Sequence, residues 1–243
     1  QLINNMLDNS KIVKNTLWSF LGTFGNLLTR TLVGIILARI LAPEQFGLLS
    51  IVMAFAALGD IFLDSGISQG LIQQEEVDDD DLSTFFFLNL FIGVLLTAIL
   101  FLSSNLIEVF FEINQLNQLT KFISLVFVVD SLGLIQRTIL LRDVKLKKDT
   151  NINILAGVIS GIVSIYLALK GMGVWALAIK VITNRAISTI ILWITSSWKP
   201  KFVFRFSSIR RIFIFSSFVF GNRLIKYFSS YVDRVIIGKF LSP

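Results

Sequence analysis

A chain of 243 residues in which 54% are hydrophobic and 16% charged, with a mean hydropathy of +0.78, has too little polar surface to fold as a soluble domain. It contains neither cysteine nor histidine, which excludes disulfides, thiolate and imidazole metal sites, and catalytic triads or dyads built on those side chains. The net charge of +6 follows from basic connections on one side of a membrane and does not call for a nucleic-acid partner.

A crossing needs roughly 20 apolar residues. On that measure the sequence predicts an all-α, polytopic membrane bundle with helices near 16–41, 46–72, 83–110, 120–141, 152–169, 174–195 and 210–241. The first run is too long for a signal-peptide core and lacks a small-residue cleavage site, so it is expected to remain as the first span. After Pro43 and the second run comes EEVDDDDLS (75–83). It lacks the ligand spacing and central glycine of a calcium loop and reads as a solvated loop whose last aspartates cap the third helix. In the fifth run GVISG (157–161) matches GxxxG, with Ser160 and Ser164 adding small side chains, and predicts a close helix contact. The N-terminal segment and the connections after the fourth and sixth runs carry 12 Lys and Arg, against four on the opposite side. That asymmetry puts the N-terminus in the cytoplasm, with Trp18, Trp193 and Trp198 at the inner interface and Trp175 at the outer one.

Ionised side chains deep in a bilayer cost roughly 2.5 to 3.5 kcal/mol each on insertion scales, yet the runs contain Arg30, Asp60, Asp64, Asp130, Lys180, Arg185, Arg223, Lys226, Asp233 and Arg234. Arg185, Arg223 and Arg234 read as cations that snorkel to an interface, and Asp130 with Arg137 as a structural pair. Residues three and four apart share a helix face. Ser19, Thr23, Asn26 and Arg30 therefore form one polar stripe, Asp60, Asp64 and Ser68 a second, and Asn222, Lys226, Ser229 and Asp233 a third. Stripes of this kind are expected to face one another across a wet cavity, which has the character of a transport path. A bundle held together by internal ion pairs is the structural alternative.

The last nine residues, VIIGKFLSP (235–243), echo IILARILAP (35–43). Seven fragments occur in series: ARILAPEQFGLLS, DSGISQGLIQ, STFFFLNLFIG, LLRDVKLKKD, GMGVWAL, SSWKPKF and VDRVIIGKFL. Together they resemble the polysaccharide transporter family, flippases and exporters of lipid-linked oligosaccharides such as O-antigen and colanic acid. That family belongs to the multidrug/oligosaccharidyl-lipid/polysaccharide superfamily, whose members have two six-helix lobes. The resemblance implies that residues 1–205 are an N-lobe and 206–243 the start of a C-lobe, the echo marking the repeat. It also implies translocation of a polyprenyl-diphosphate-linked oligosaccharide by alternating access in a bacterial or archaeal plasma membrane, in the company of membrane lipids and a polymerase or export machinery. Arg30, Lys180, Arg223 and Lys226 would pair with the diphosphate. Asp60, Asp64 and Asp233 would bind a driving H⁺ or Na⁺ or balance charge, and Asn26, Ser68 and Asn222 would line the path. No cofactor is expected, and no constellation of an enzyme is present; GxxxxGK[ST] does not occur. A cation-coupled drug antiporter of the same superfamily and a non-transporting membrane scaffold are the alternatives.

Overall fold

The computed structural model describes residues 22, 24–64, 66–74, 76–206, 208–209, 220–227 and 229. They form helices α1 (24–40), α2 (Pro43–Asp64), α3 (Ile67–Gln73), α4 (Asp79–Leu102), α5 (Ser104–Phe111), α6 (Gln115–Ser124), α7 (Val126–Arg142), α8 (Leu146–Leu169), α9 (Val174–Thr195) and α10 (220–227). No strand occurs among the described residues. Among the described residues, five stretches are long and apolar enough to cross a membrane: Pro43–Gln73, Asp79–Leu102, Gln115–Arg142, Leu146–Leu169 and Val174–Thr195. The protein is an all-helical polytopic bundle, and these stretches overlap five of the seven runs read from the sequence. The first and seventh runs lie only partly within the described residues.

Local chemistry sets the helix ends. Pro43 opens α2, where its missing N–H is no loss. Gly66, at φ 78°, takes the left-handed turn that separates α2 from α3. Asp78 caps α4 by accepting the N–H of Asp81 at 2.7 Å, and Asp79, Asp80 and Asp81 fill the first turn, where negative charge suits the helix dipole. The acidic block therefore acts as the cap the sequence suggests.

Packing puts α7 at the centre, between α4 and α9. One cluster gathers Val52, Leu116, Leu119, Ile123 and Phe127 toward one end of the bundle. Another gathers Leu71, Phe85, Phe86 and Ile135 under Trp193 and Trp198 toward the other. Small residues let the helices approach. Gly161 and Gly157 of α8 lie under Val33 and Thr29 of α1, while Gly25 of α1 lies against Ile154 of α8. The GVISG segment is thus the seam on which α1 runs parallel to α8. The outward face of α4 carries Phe91, Val94, Leu95 and Ile99, all exposed, as expected of a surface whose solvent is hydrocarbon.

Candidate functional site

Charged side chains from four helices converge in one half of the bundle, at the end where α2 meets α3 and α7 meets α8. Asp60 and Asp64 come from the last two turns of α2, Asp130 and Arg137 from α7, Arg185 from the second half of α9 and Arg223 from α10. With Asn153, Asn184, Ser188 and Thr189 they line a polar cavity of about 350 Å³.

Arg185 is the hub. Its guanidinium reaches Asp130 at 3.0 Å through Nη1 and Asp60 at 3.5 Å through Nη2. The second oxygen of Asp60, Oδ1, is buried and meets no hydrogen-bond donor among the described residues. Arg223 Nη1 lies 2.6 Å from Asp64 Oδ2, and its Nη2 donates to Gln69 Oε1 at 3.0 Å. Asp64 also accepts the N–H of Ser68 at 3.1 Å. Arg137 engages Asp149 at 3.1 Å and donates to Asn153 at 2.8 Å, so Asp149 and Asn153 hold it where the sequence suggested Asp130. Arg185 is correspondingly no snorkelling cation. Arginine suits such a hub because its planar fork can serve two carboxylates at once.

The residues singled out from the sequence fall into three groups. Asp60, Asp64 and Arg223 meet in the cavity, and Ser68 lies just behind it, its hydroxyl accepting from Thr138 at 3.1 Å. Arg30 is exposed on α1, and Lys180 is half-buried on α9. Neither has a carboxylate partner among the described residues. Asn26 is half-buried one turn before Arg30. Asn222 and Lys226 share a face of α10, as their spacing implies, but both are exposed. That face points away from α2, against which the same helix lays Arg223, Phe220 and Tyr227. Asp233 lies outside the described residues.

Sequence reasoning passed over Arg185, Arg137, Asn184, Ser188 and Thr189 as path residues. One signal was present: Arg185, Ser188 and Thr189 are three and four apart and share a face. As built, the cavity is balanced, with three arginines against three aspartates on its wall. An anion entering it would have to displace a carboxylate. Of the cations singled out from the sequence, Arg30, Lys180 and Lys226 have no carboxylate partner among the described residues, and they lie elsewhere, on α1, α9 and the outer face of α10.

Residues 36–243 match the family model described as polysaccharide biosynthesis protein. The chain belongs to that family. Among its curated relatives, the succinoglycan biosynthesis transport protein ExoT of Rhizobium meliloti (strain 1021) is 23% identical over 96% of this chain and 47% of its own length. The teichuronic acid biosynthesis protein TuaB of Bacillus subtilis (strain 168) is 27% identical over 74% of this chain and 38% of its own. The lipopolysaccharide biosynthesis protein WzxC of Escherichia coli (strain K12) is 26% identical over 95% and 47%. The chain spans about half the length or less of these relatives. No solved structure matches it significantly. Family membership and the membrane-spanning helices together make this a membrane protein of a polysaccharide biosynthesis family, one of whose relatives, ExoT, is named a transport protein.

Proposed function

We propose that the chain forms the first lobe of a flippase that moves a polyprenyl-diphosphate-linked oligosaccharide across a plasma (inner) membrane by alternating access, its N-terminus in the cytoplasm, before a polymerase or export machinery takes the product. One observation carries this reading beyond the family: Arg30 on α1 and Lys180 on α9 have no carboxylate partner among the described residues, although the two helices pack in one cluster through Val33, Leu37, Ala176 and Leu177. Two uncompensated cations in a membrane bundle are costly. A diphosphate offers both of them charge-assisted hydrogen bonds, and the lipid tail can stay in hydrocarbon while the head is held. Lys226, on the outer face of α10, would join them from the side of the second lobe, with Asn26 and Asn222 lining the path.

The balanced cavity has a different role in this scheme. Its arginines are engaged by carboxylates, so it answers to charge changes and does not supply the head-group site. Asp60 shares one arginine with Asp130 and has one oxygen without a donor; it is the carboxylate suited to a driving H⁺ or Na⁺. Asp64 and Arg223 hold α10 to α2 and balance charge.

The test is complementation by the full-length protein in a strain blocked at repeat-unit flipping, beside Arg30→Ala and Lys180→Ala. Surface polymer is measured at equal protein level. Loss of export in both variants is expected; normal export from both would remove the head-group assignment.

A further inference from the structure

We infer that the connection after α9 is an interfacial anchor, which lays a row of three phenylalanine rings into the headgroup and acyl boundary of the bilayer. Residues 196–205 are non-helical, the Val203 N–H returns to the Lys201 carbonyl at 2.7 Å around Phe202, and Phe206 is helical; side-chain contacts, not a regular strand, therefore decide which way each residue faces. In the sequence Lys201, Val203 and Arg205 alternate with Phe202, Phe204 and Phe206.

The inner side is fastened to the start of α4. Lys201 Nζ meets Asp79 at 3.0 Å and its backbone N–H donates to Ser83 Oγ at 3.0 Å. Arg205 pairs with Asp78 at 2.6 Å and with Asp80, and its backbone N–H donates to Thr84 Oγ1 at 2.9 Å. The outer side is bare: Phe202, Phe204 and Phe206 are 96%, 58% and 76% exposed. Three neighbouring rings facing water make an apolar patch of the kind that marks an interaction surface.

What covers them is argued from continuity with the membrane-facing surface. Phe202 stacks on Phe87, with ring centroids 5.3 Å apart. Phe87 starts the stripe that continues four and seven residues on through Phe91 and Val94, both exposed on a helix that crosses the membrane. Phe87 is also only about 12 Å along the helix axis from Asp79, at 1.5 Å per residue. The segment therefore lies beside the first turns of a spanning helix, where hydrocarbon gives way to headgroups. Trp193 and Trp198, both edge-on to Phe86, mark the same level, as aromatic residues do at membrane interfaces. Because Lys201 and Arg205 are engaged by aspartates, the attraction comes from the rings and needs no anionic lipid.

The test uses the full-length protein in phosphatidylcholine vesicles, spin-labelled at one position at a time from 201 to 206. Collision with oxygen, which concentrates in hydrocarbon, is compared with collision with a water-soluble nickel chelate. Positions 202, 204 and 206 are expected to favour oxygen and to alternate with 201, 203 and 205. Phe204 makes no ring contact among the described residues, so position 204 carries the test even where a label at 202 disturbs the stack on Phe87. Preferential nickel access at 204 means that the row faces water, and access to neither reagent means that another part of the protein covers it. Either result overturns the inference.

Discussion

Gly93 offers a direct way to couple the packing of the bundle to its charged cavity. It lies on α4 where that helix crosses α7. A methyl group added there would stand 2.7 Å from Cβ and Oγ of Ser131 and 2.8 Å from the carbonyl oxygen of Phe127. The serine hydroxyl can rotate; its Cβ and the backbone oxygen cannot. Reaching an ordinary contact of 3.4 Å from the 2.7 Å to Ser131 Cβ requires the seam to open by 0.7 Å (3.4 − 2.7). On its other face α7 has no spare room, because a methyl on Gly133 would lie 2.7 Å from Thr189 Oγ1. Asp130 directly precedes Ser131 and carries the 3.0 Å contact to Arg185, so displacement at the seam acts on the hub of the site. Overpacking of this kind costs about 1 to 3 kcal/mol, offset by about 1 kcal/mol of helix propensity gained when alanine replaces glycine. The backbone obstacle puts Gly93→Ala toward the upper part of that range. The expected net loss is about 1 to 2 kcal/mol, a factor of roughly 5 to 30 in the folded ratio. Unfolding of the full-length protein by SDS titration from mixed micelles measures it. Gly34→Ala is the control, since a methyl there meets nothing within 4 Å, and it should be neutral or more stable by up to about 1 kcal/mol. A Gly93→Ala protein as stable as the parent would refute the reasoning.

Other perturbations bear on the charges. Arg185→Gln removes the cation shared by Asp60 and Asp130 and should lower both stability and export. Adding Asp60→Asn should recover part of the stability, because one of the two stranded carboxylates is gone; a double variant no more stable than Arg185→Gln argues against the shared hub. Exchanging Asp64 and Arg223 (Asp64→Arg with Arg223→Asp) should restore protein level relative to either single change, read by quantitative blotting, since their contact at 2.6 Å joins α2 to α10. The segment at 199–206 should respond to pH and salt. The N–H of Asp81 and then Arg205 hold the Asp78 carboxyl below its usual range, and Asp79 raises Lys201. A depressed carboxylate contributes above its unfolded pKa, near 4, and its contribution is lost as pH falls through the lower folded value. A raised lysine contributes below its unfolded pKa, near 10.4, and is lost as pH rises through the folded value. A spin label at Val203 should therefore keep constant mobility from about pH 5 to 9 and loosen in strong acid or high salt. Mobility that changes near pH 7 with no effect of salt would contradict this account.

Much of the helical frame was written locally. Apolar runs long enough to cross a bilayer, Pro43 at a helix start, Asp78 as a cap and the small residues of GVISG are all decided by a residue and its near neighbours, and the helices, the cap and the α1–α8 seam occur where those signals stand. The same spacing put Asp60 with Asp64, and Asn222 with Lys226, on common faces. Spacing says nothing about how a helix is rotated against its neighbours. Tertiary packing alone decided that α10 turns Arg223 toward α2 and Lys226 away, that Arg185 lies between Asp60 and Asp130, and that Arg137 goes to Asp149 and Asn153. An arginine in an apolar run can end at an interface or at a carboxylate on a distant helix, and only the assembled bundle brings that carboxylate within reach.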